Sequence, residues 1–397
     1  MVSRSEASSR HRTAWLEVDL AALRHNVGVL RSLSGQAALA PVVKANAYGH
    51  GLTAVAGALR DVVEALCVAT LDEAIELRAV ISGRVILLYA VPPGAAADAV
   101  TSGAEMTVMA REDLPPLLAA IPHGSPPLAI HLAVETGLGR GGLTPTEAAV
   151  VAGLVAADPR TRLAGLWSHL ATPEDPAASG IQVARFEEAV EGLRAGGIAV
   201  PDRHLAATGS LFTGTAPGLE MVRPGLAVYG VLDEGLPIAA PAAAAAASLQ
   251  PVLSLKARPV AFGDVPVGGS VGYGGRWRAP RNTRIAILPV GYADGYLRGT
   301  QPGASALVRG APVPLVGAIS MDAVAVDVTD VPGVSPADEF VLLGRQGEAT
   351  ITAGDLARSR NTIAWEVLSG MAARMDRVYY PEAGSPDPNE SPAPCQT

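Results

Sequence analysis

The sequence predicts an α/β protein that consists of a (β/α)8 TIM-type barrel followed by a mainly β C-terminal domain. Through residues 20–223, short apolar runs alternate with segments of helical periodicity, and strands that alternate with helices in this way are typical of such a barrel. Beyond an alanine-rich stretch at 239–248, short turns rich in glycine and proline separate the apolar runs. That change of pattern indicates a second domain built mainly of strands.

The barrel strands are expected at the short apolar runs, which lie at 38–43, 65–70, 85–90, 106–109, 128–134, 163–168, 202–206 and 219–223. The helices are expected between them, at 20–33, 53–63, 71–81, 95–101, 112–120, 145–157 and 183–195. The first helix follows Asp19, a favourable N-cap residue. The stretch 239–248 is interpreted as a linker or a loosely packed helix between the two domains.

In the second domain, strands are expected at 251–262, 284–289, 305–308, 312–316, 323–328 and 339–342, with one helix at 352–358. We therefore place the barrel at 14–240 and the β domain at 241–383, with an alternative in which the first strand, 14–18, belongs to the β domain. The segments 1–13 and 384–397 are polar or rich in proline and are expected to be disordered.

The composition narrows the class of protein. Of the 397 residues, 49% are apolar and 17% charged, which is typical of a soluble enzyme with a buried core. A net charge of −8 gives no basic footprint for nucleic acid. No secretory signal is visible, and the apolar stretch 238–249 is too short to span a bilayer. The two cysteines, Cys67 and Cys395, lie in different contexts and predict no disulfide, which suits a cytoplasmic protein.

Lys44 is the first candidate functional residue. It follows the apolar run 38–43 directly, within the stretch PVVKANAYGHG at 41–51, and only small residues come next. A lysine at the end of a barrel strand can reach solvent with its amine, which is the structural alternative. The carboxyl ends of barrel strands also carry the chemistry of this fold, and burial lowers the pKa of a lysine amine. Lys44 is therefore a candidate Schiff-base nucleophile.

Other polar residues follow the ends of later strands and are expected to converge with Lys44: Arg140, His169, Thr208, Gly209, Ser210, Arg223 and Gly225. The loops after the last two strands form the usual phosphate site of this barrel, and small residues there let backbone N–H groups approach an anion. Each residue has a structural alternative: His169 as a core histidine, Arg140 and Arg223 as rim charges, and 208–210 as an ordinary turn. Their common location at one face favours a site.

The stretch 41–51 resembles the pyridoxal-phosphate attachment motif of the alanine racemase family. Further stretches that resemble this family lie at 15–26, 131–140, 221–225, 229–230, 270–274, 289–295, 320–322 and 326–330. The resemblance extends from about Glu17 to Tyr380. It implies a barrel and a β domain, paired head to tail as a homodimer, that bind pyridoxal 5′-phosphate and interconvert L- and D-alanine by a two-base mechanism.

The resemblance also implies roles for individual residues. Lys44 would hold the cofactor and act as the base on one face of the substrate Cα, with Tyr273 of the partner subunit as the base on the other. His169 and Arg223 would assist that tyrosine, and Arg223 would face the pyridine nitrogen. The cofactor phosphate would be held by Tyr48, Thr208, Gly225 and Leu226, with Trp365 at its entrance. Arg140, Met321 and Asp322 would orient the substrate carboxylate, and no metal is implied.

The chain departs from the family pattern at five positions. Ala133 stands where the family has a lysine that is often carbamylated, and Ala207 and Thr208 stand where it has an asparagine and a serine. Ala318 replaces an arginine of the substrate corridor, and Trp365 replaces a tyrosine. These positions lie around the corridor rather than in the chemical core, so the reaction type is expected to persist. Three alternatives stay open: racemisation of another or larger amino acid, another aldimine reaction such as decarboxylation on the same scaffold, and a non-catalytic pyridoxal-phosphate-binding protein.

Overall fold

The computed structural model describes residues 12–200, 202–299 and 303–380. A strand, β1 (Ala14–Asp19), and the first barrel helix, Leu20–Ser34, precede the barrel strands. The eight barrel strands are β2 (Ala38–Leu39), β3 (Ala65–Val68), β4 (Arg84–Leu87), β5 (Met106–Val108), β6 (Leu128–Ala133), β7 (Thr161–Trp167), β8 (Asp202–Ala207) and β9 (Met221–Arg223).

These eight strands form a closed parallel ring, so the predicted barrel is confirmed. Six of them pair in the order β2-β9-β8-β7-β6-β5, and β3 pairs with β4. Two single bridges close the ring, Val42 to Cys67 and Ile86 to Glu105, and both are parallel. Parallel strands covered on both faces consist of continuous apolar residues, which explains why the apolar runs located them well.

The barrel helices are Leu20–Ser34, Leu52–Leu59, Leu71–Arg78, Ala96–Ser102, Leu114–Ala120, Pro145–Ala157, Pro176–Ala195 and Thr208–Thr213. Side chains cap several of their first turns. Thr70 and Glu73 form a capping box on the third of these helices. The helix expected at 183–195 begins earlier, at Pro176, because the Asp175 carboxylate accepts backbone N–H bonds there.

The C-terminal domain contains β10 (Leu253–Ala257), β11 (Ala261–Val265), β12 (Ser270–Val271), β13 (Trp277–Arg278), β14 (Thr283–Leu288), β15 (Ser305–Val308), β16 (Ala311–Val316), β17 (Val324–Asp327), β18 (Phe340–Gln346), β19 (Ala349–Ile351) and β20 (Arg377–Tyr380). Its main sheet has the order β11-β14-β17-β16-β15-β18-β10-β1-β20. The expectation of a single helix was wrong, because Ala364–Ser369 follows Ala353–Arg360 as a second helix. The alanine-rich stretch contains the short helix Ala243–Ser248.

Strand β1 joins the sheet of the C-terminal domain although it begins the described chain. It pairs antiparallel with β10 and parallel with β20. Lys256 of β10 contacts the carboxylates of Glu17 and Glu339 at 2.8 Å each, which ties β1, β10 and β18 together at a buried site. The exact domain limits stay a prediction.

The segments predicted to be disordered, 1–13 and 384–397, lie outside the described residues except for Arg12 and Thr13. In the part of the chain that the structure describes, no helix is long and apolar enough to cross a membrane. Within the same residues, no group of three or more His, Cys, Asp or Glu side chains is arranged to hold a metal ion.

Candidate active site

A cavity of about 620 Å³ lies at the end of the barrel where the strands finish. It brings together eleven of the predicted site residues, namely Lys44, Tyr48, Arg140, His169, Thr208, Gly209, Ser210, Arg223, Gly225, Leu226 and Trp365. Trp365 comes from the C-terminal domain of the same chain, so both domains contribute to the wall. The cavity is large enough for a phosphate-bearing cofactor together with a small substrate.

Three predicted site residues lie outside this cavity. Tyr273 begins a short 3-10 turn between β12 and β13, and it is 68% exposed. Met321 is 53% exposed, and the Asp322 carboxylate pairs with Arg374 at 2.6 Å. All three belong to the C-terminal domain. One chain therefore assembles the lysine, histidine and arginine of the predicted site without the tyrosine.

Lys44 begins an unusual backbone turn. The next four residues, Ala45, Asn46, Ala47 and Tyr48, have φ angles of 52–54°, in the left-handed region. Each non-glycine residue there costs about 1–2 kcal/mol, so the turn stores strain. Side chains from outside the turn offset it: the Glu73 carboxylate accepts the Ala45 N–H at 2.6 Å.

The Lys44 amine lies in a partly desolvated and positively charged environment. Burial lowers the pKa of Lys44 from its ordinary value, and the positive charge of Arg140 lowers it further. A lower pKa increases the fraction of neutral amine, which is the nucleophilic and basic form. Both the position of Lys44 and its surroundings therefore favour a reactive amine.

Small residues and Tyr48 form a cradle in the wall of the same cavity. The Thr208 hydroxyl accepts the backbone N–H groups of Gly225 and Ala227 at 3.0 and 3.3 Å. The Tyr48 hydroxyl packs directly on Gly225, where a Cβ would lie only 2.6 Å from it. Burial raises the pKa of Tyr48 to about 12, so its phenol stays a hydrogen-bond donor. This arrangement of donors and close backbone suits a phosphate group.

Arg223 forms the buried floor of the cavity and is 3% exposed. Its Nη1 donates to the Nδ1 of His204 at 2.5 Å, and its Nη2 donates to the Ser168 carbonyl at 2.7 Å. Its guanidinium also lies 4.8 Å from the centroid of the Trp167 ring. Burial lowers the pKa of Arg223 to about 10, which still leaves it cationic at neutral pH. The sequence had suggested His169 as its neighbour, and the structure adds His204 as the hydrogen-bonded one.

His169 lines the cavity between these charges. Burial lowers the pKa of His169 to about 3, and the positive charges of Arg223, Arg140 and Lys44 act in the same direction. The imidazole is therefore neutral at physiological pH. A neutral imidazole can accept a proton or a hydrogen bond from a phenol that approaches it.

Arg140 projects from a loop that is wrapped around one carboxylate. Glu135 accepts the backbone N–H groups of Gly137, Gly139 and Arg140 at 2.5, 3.0 and 3.2 Å. The Arg140 guanidinium lies 5.7 Å from the centroid of the Tyr89 ring. Glu135 thus holds the loop, and Tyr89 lies beside the Arg140 guanidinium. These two residues support Arg140 in this chain, where Ala133 replaces the lysine of the family pattern.

The C-terminal domain clamps the turn that follows Lys44. Gly49 ends that turn with φ 80°, and a Cβ on it would lie 2.1 Å from the Leu368 carbonyl oxygen. A Cβ on Gly51 would lie 1.9 Å from the Tyr379 hydroxyl, and Arg377 donates to the Gly49 carbonyl at 2.8 Å. The helix Ala364–Ser369 thus contacts the Lys44 turn and carries Trp365 into the cavity.

Comparisons with known proteins agree with this geometry. The chain matches the family description "Alanine racemase, N-terminal domain" over residues 18–233 and "Alanine racemase, C-terminal domain" over residues 252–379. An alanine racemase of Nostoc sp. is 37% identical over 377 residues, which cover 92% of this chain and 95% of that protein.

Two solved structures have the same fold. The alanine racemase of E. faecalis superimposes with a TM-score of 0.86 at 29% identity, covering 94% of this chain and 99% of that one. The alanine racemase of Streptomyces coelicolor A3(2) gives 0.83 at 34% identity, with coverage of 93% and 98%. With both family descriptions matched and a barrel whose strand ends carry the lysine, histidine and arginine of the motif, this chain belongs to the alanine racemase family.

Proposed function

We propose that this amino-acid racemase interconverts L- and D-alanine with pyridoxal 5′-phosphate as its cofactor. The observation that carries the proposal is the cavity that is lined both by Lys44 and by a cradle of Thr208, Gly225 and Tyr48. A lysine with a lowered pKa and a phosphate cradle in one cavity fit this cofactor.

The described residues fit the two ends of the cofactor. Thr208, Gly225, Leu226 and Tyr48 would hold its phosphate, and Lys44 would bind it covalently. When bound, the cofactor withdraws electrons from the substrate and thereby makes the Cα proton acidic. Arg223 would face the ring nitrogen, and a cationic guanidinium there disfavours protonation of that nitrogen.

Racemisation requires a proton to leave one face of Cα and another to arrive on the opposite face. Lys44 would serve one face as a neutral amine. Tyr273 of the partner subunit would serve the other, since the Tyr273 of this chain is exposed and lies outside the cavity. A phenol is a poor base near neutrality because its ordinary pKa is about 10. The neutral His169 imidazole in the cavity would support the phenol in that role.

The substrate carboxylate would be held by Arg140 and by the backbone of Met321 and Asp322 from the partner subunit. The Met321 segment is fixed within its own domain, because its carbonyl accepts the Ala293 N–H at 3.0 Å. The structure gives Glu135 as the support of the Arg140 loop. These contacts would orient an amino acid without any contribution from its side chain.

Mixing two inactive variants tests the shared site. Lys44→Ala removes the covalent attachment, and its visible absorption band should be lost, whereas Tyr273→Phe should keep that band. After subunit exchange, about a quarter of the sites would be intact if exchange is random in a two-fold symmetric dimer. We expect activity to reappear in proportion.

The matched control is a chain with both substitutions mixed with the Lys44→Ala chain, which can form no intact site and should stay inactive. No recovery, with subunit exchange shown independently, would refute the shared site. A Lys44→Ala chain that keeps the absorption band of the unaltered protein would refute the cofactor assignment.

A larger amino acid is the second candidate substrate, and one observation favours it. Ala318 packs beside the segment that carries Tyr273, because a Cβ on Gly272 would lie 2.7 Å from the Ala318 backbone nitrogen. A short side chain at this point leaves room where the family pattern has an arginine. Apolar pockets discriminate by only about 1–3 kcal/mol per methylene, so a small enlargement broadens the substrate range.

A further inference from the structure

A chain of buried polar side chains runs through the barrel from the cavity to its opposite end. Arg223, at the carboxyl end of β9, bonds to His204 of β8. The Nε2 of His204 lies 3.0 Å from the Nδ1 of His131 in β6. The Nε2 of His131 lies 2.7 Å from a carboxylate oxygen of Glu105, just before β5. Arg84 completes the chain with two bonds to Glu105, at 2.8 and 2.9 Å.

The barrel is built to accommodate this chain. His131 and His204 are fully buried, and Glu105 is 5% exposed. Strand β7 lies between β6 and β8, yet the two imidazoles meet because Gly165 of β7 has no side chain at that point. A Cβ on Gly165 would lie 2.6 Å from the Nδ1 of His131, the atom that bonds to His204. Buried polar groups must be paired, and here each is paired with the next.

The donor and the acceptor in every bond of this chain follow from Arg223 at one end and Glu105 at the other. Arginine has no acceptor, so Arg223 donates and the Nδ1 of His204 accepts. Burial, followed by the charge of Arg223, lowers the pKa of His204, so this imidazole is neutral and carries its proton on Nε2. That proton points at the Nδ1 of His131, whose own proton is then on Nε2 and is donated to the Glu105 carboxylate. One carboxylate thus sets the proton position in both rings.

We propose that Glu105 is a positioning residue for Arg223. Glu105 acts through His131 and His204, because it keeps the His204 lone pair directed at the guanidinium. Glu105 lies at the amino end of the barrel and is not among the residues that line the cavity. The inference rests on the proposed role of Arg223 in the cofactor site, but the proton positions can be measured independently of that role.

The isosteric substitution Glu105→Gln exposes the dependence. Both carboxylate oxygens accept bonds from Arg84, and one of them also accepts from His131. An amide nitrogen in place of either carboxylate oxygen would face a hydrogen-bond donor. If it faces His131, each of the two imidazoles moves its proton from Nε2 to Nδ1, and the Nδ1–H of His204 then faces the Arg223 donor. At the other place it would oppose two cationic donors, Arg84 and Arg162, neither of which can accept a bond, so the orientation toward His131 is the favoured one.

The test is ¹⁵N NMR of the full-length, cofactor-loaded chain with labelled histidines, of which there are 7. Replacing the other histidines one at a time leaves the signals of His131 and His204, and replacing His131 then tells these two apart. In the unaltered chain, both rings should carry the proton on Nε2 alone. In Glu105→Gln, His204 should shift to the Nδ1–H form or to a mixture. The kcat should fall on the order of 10- to 100-fold with KM little changed, the scale seen for outer-shell partners of metal-bound histidines.

The matched control is Glu220→Gln. Glu220 also pairs with an arginine, Arg203, at 2.6 and 2.8 Å near the start of the neighbouring β8 strand, but it bonds to no histidine in the described structure. It should change neither the His204 signal nor kcat. An Nδ1–H or doubly protonated His204 in the unaltered chain overturns the proposal even if Glu105→Gln does not fold.

Three further outcomes also decide the question. An unchanged His204 signal in Glu105→Gln overturns the proposal, and so does a Glu220→Gln control that reproduces the effect. A shifted signal with unchanged kcat retains the chain of bonds but overturns the positioning role. The absence of a pyridoxal-phosphate absorption band in the unaltered protein would instead refute the proposed function, while the proton positions would remain measurable.

Discussion

Replacing Gly49 with alanine should destabilise the protein through one defined steric conflict. Gly49 has φ 80° and ψ 0°, and a Cβ there would lie 2.1 Å from the Leu368 carbonyl oxygen, whereas real Cβ contacts stay above 3.0 Å. Gly103 is a matched control, because it ends a helix with φ 66° and ψ 14° and nothing lies within 4 Å of its Cβ position.

Both substitutions carry the same backbone cost, but only Gly49→Ala also creates a steric conflict with Leu368. An alanine in the left-handed region costs about 1–2 kcal/mol at either position. At Gly49, the helix Ala364–Ser369 must also retreat by about 1 Å, and overpacking of this kind costs about 1–3 kcal/mol. For a chain of 397 residues, the excess corresponds to an apparent Tm that is lower by roughly 1–4 °C for Gly49→Ala than for Gly103→Ala.

Thermal unfolding followed by circular dichroism measures this difference, and cofactor titration adds a second readout. The displaced helix carries Trp365 into the cavity, so Gly49→Ala should also bind pyridoxal phosphate more weakly, whereas Gly103→Ala should not. Equal apparent Tm values for the two variants would refute the reasoning, because they would show that the Leu368 contact imposes no constraint.

Two further predictions concern specificity and pH. Ala318→Arg combined with Trp365→Tyr should raise the ratio of kcat/KM for alanine over serine, and an unchanged ratio would show that these positions do not set specificity. Burial raises the pKa of Asp294, but hydrogen bonds from Arg374 and Arg12 outweigh it and hold the pKa below its ordinary value. Its stabilisation is complete above a carboxyl pKa of about 4 and is lost on acidification. Asp294→Asn should therefore lose less apparent Tm between about pH 6 and about pH 3 than the unaltered chain, and equal losses would contradict this.

The barrel could be predicted from sequence because its strands are buried on both faces and its helices have side-chain caps. The short elements of the β domain could not. The helix Ala364–Ser369 has six residues and no capping side chain on Ile363, and the hairpin of β12 and β13 has two residues in each strand. Elements of this length are held by tertiary contacts, and these produce no periodic pattern of apolar residues in the sequence.

In the candidate site, too, some residues could be predicted from the sequence and others could not. Lys44, His169 and Arg223 could be found because each marks the end of a strand. His204 was missed as the partner of Arg223, since that contact depends on how β8 and β9 are aligned rather than on any motif. An alternating polar residue inside an apolar strand, as at His131 and His204, is a signal for buried pairing that would have pointed to it.

The position of β1 has a consequence for how the chain is made. The ribosome synthesises β1 before its two neighbours in the sheet, because β10 and β20 come only after the whole barrel. At about 5–20 residues per second, β1 waits on the order of tens of seconds for β10. During that time, Leu16 and Val18, both fully buried in the finished protein, lie in a strand that has no partner in the sheet. Temporary contacts with the barrel or with a chaperone would have to cover this strand until β10 has been made.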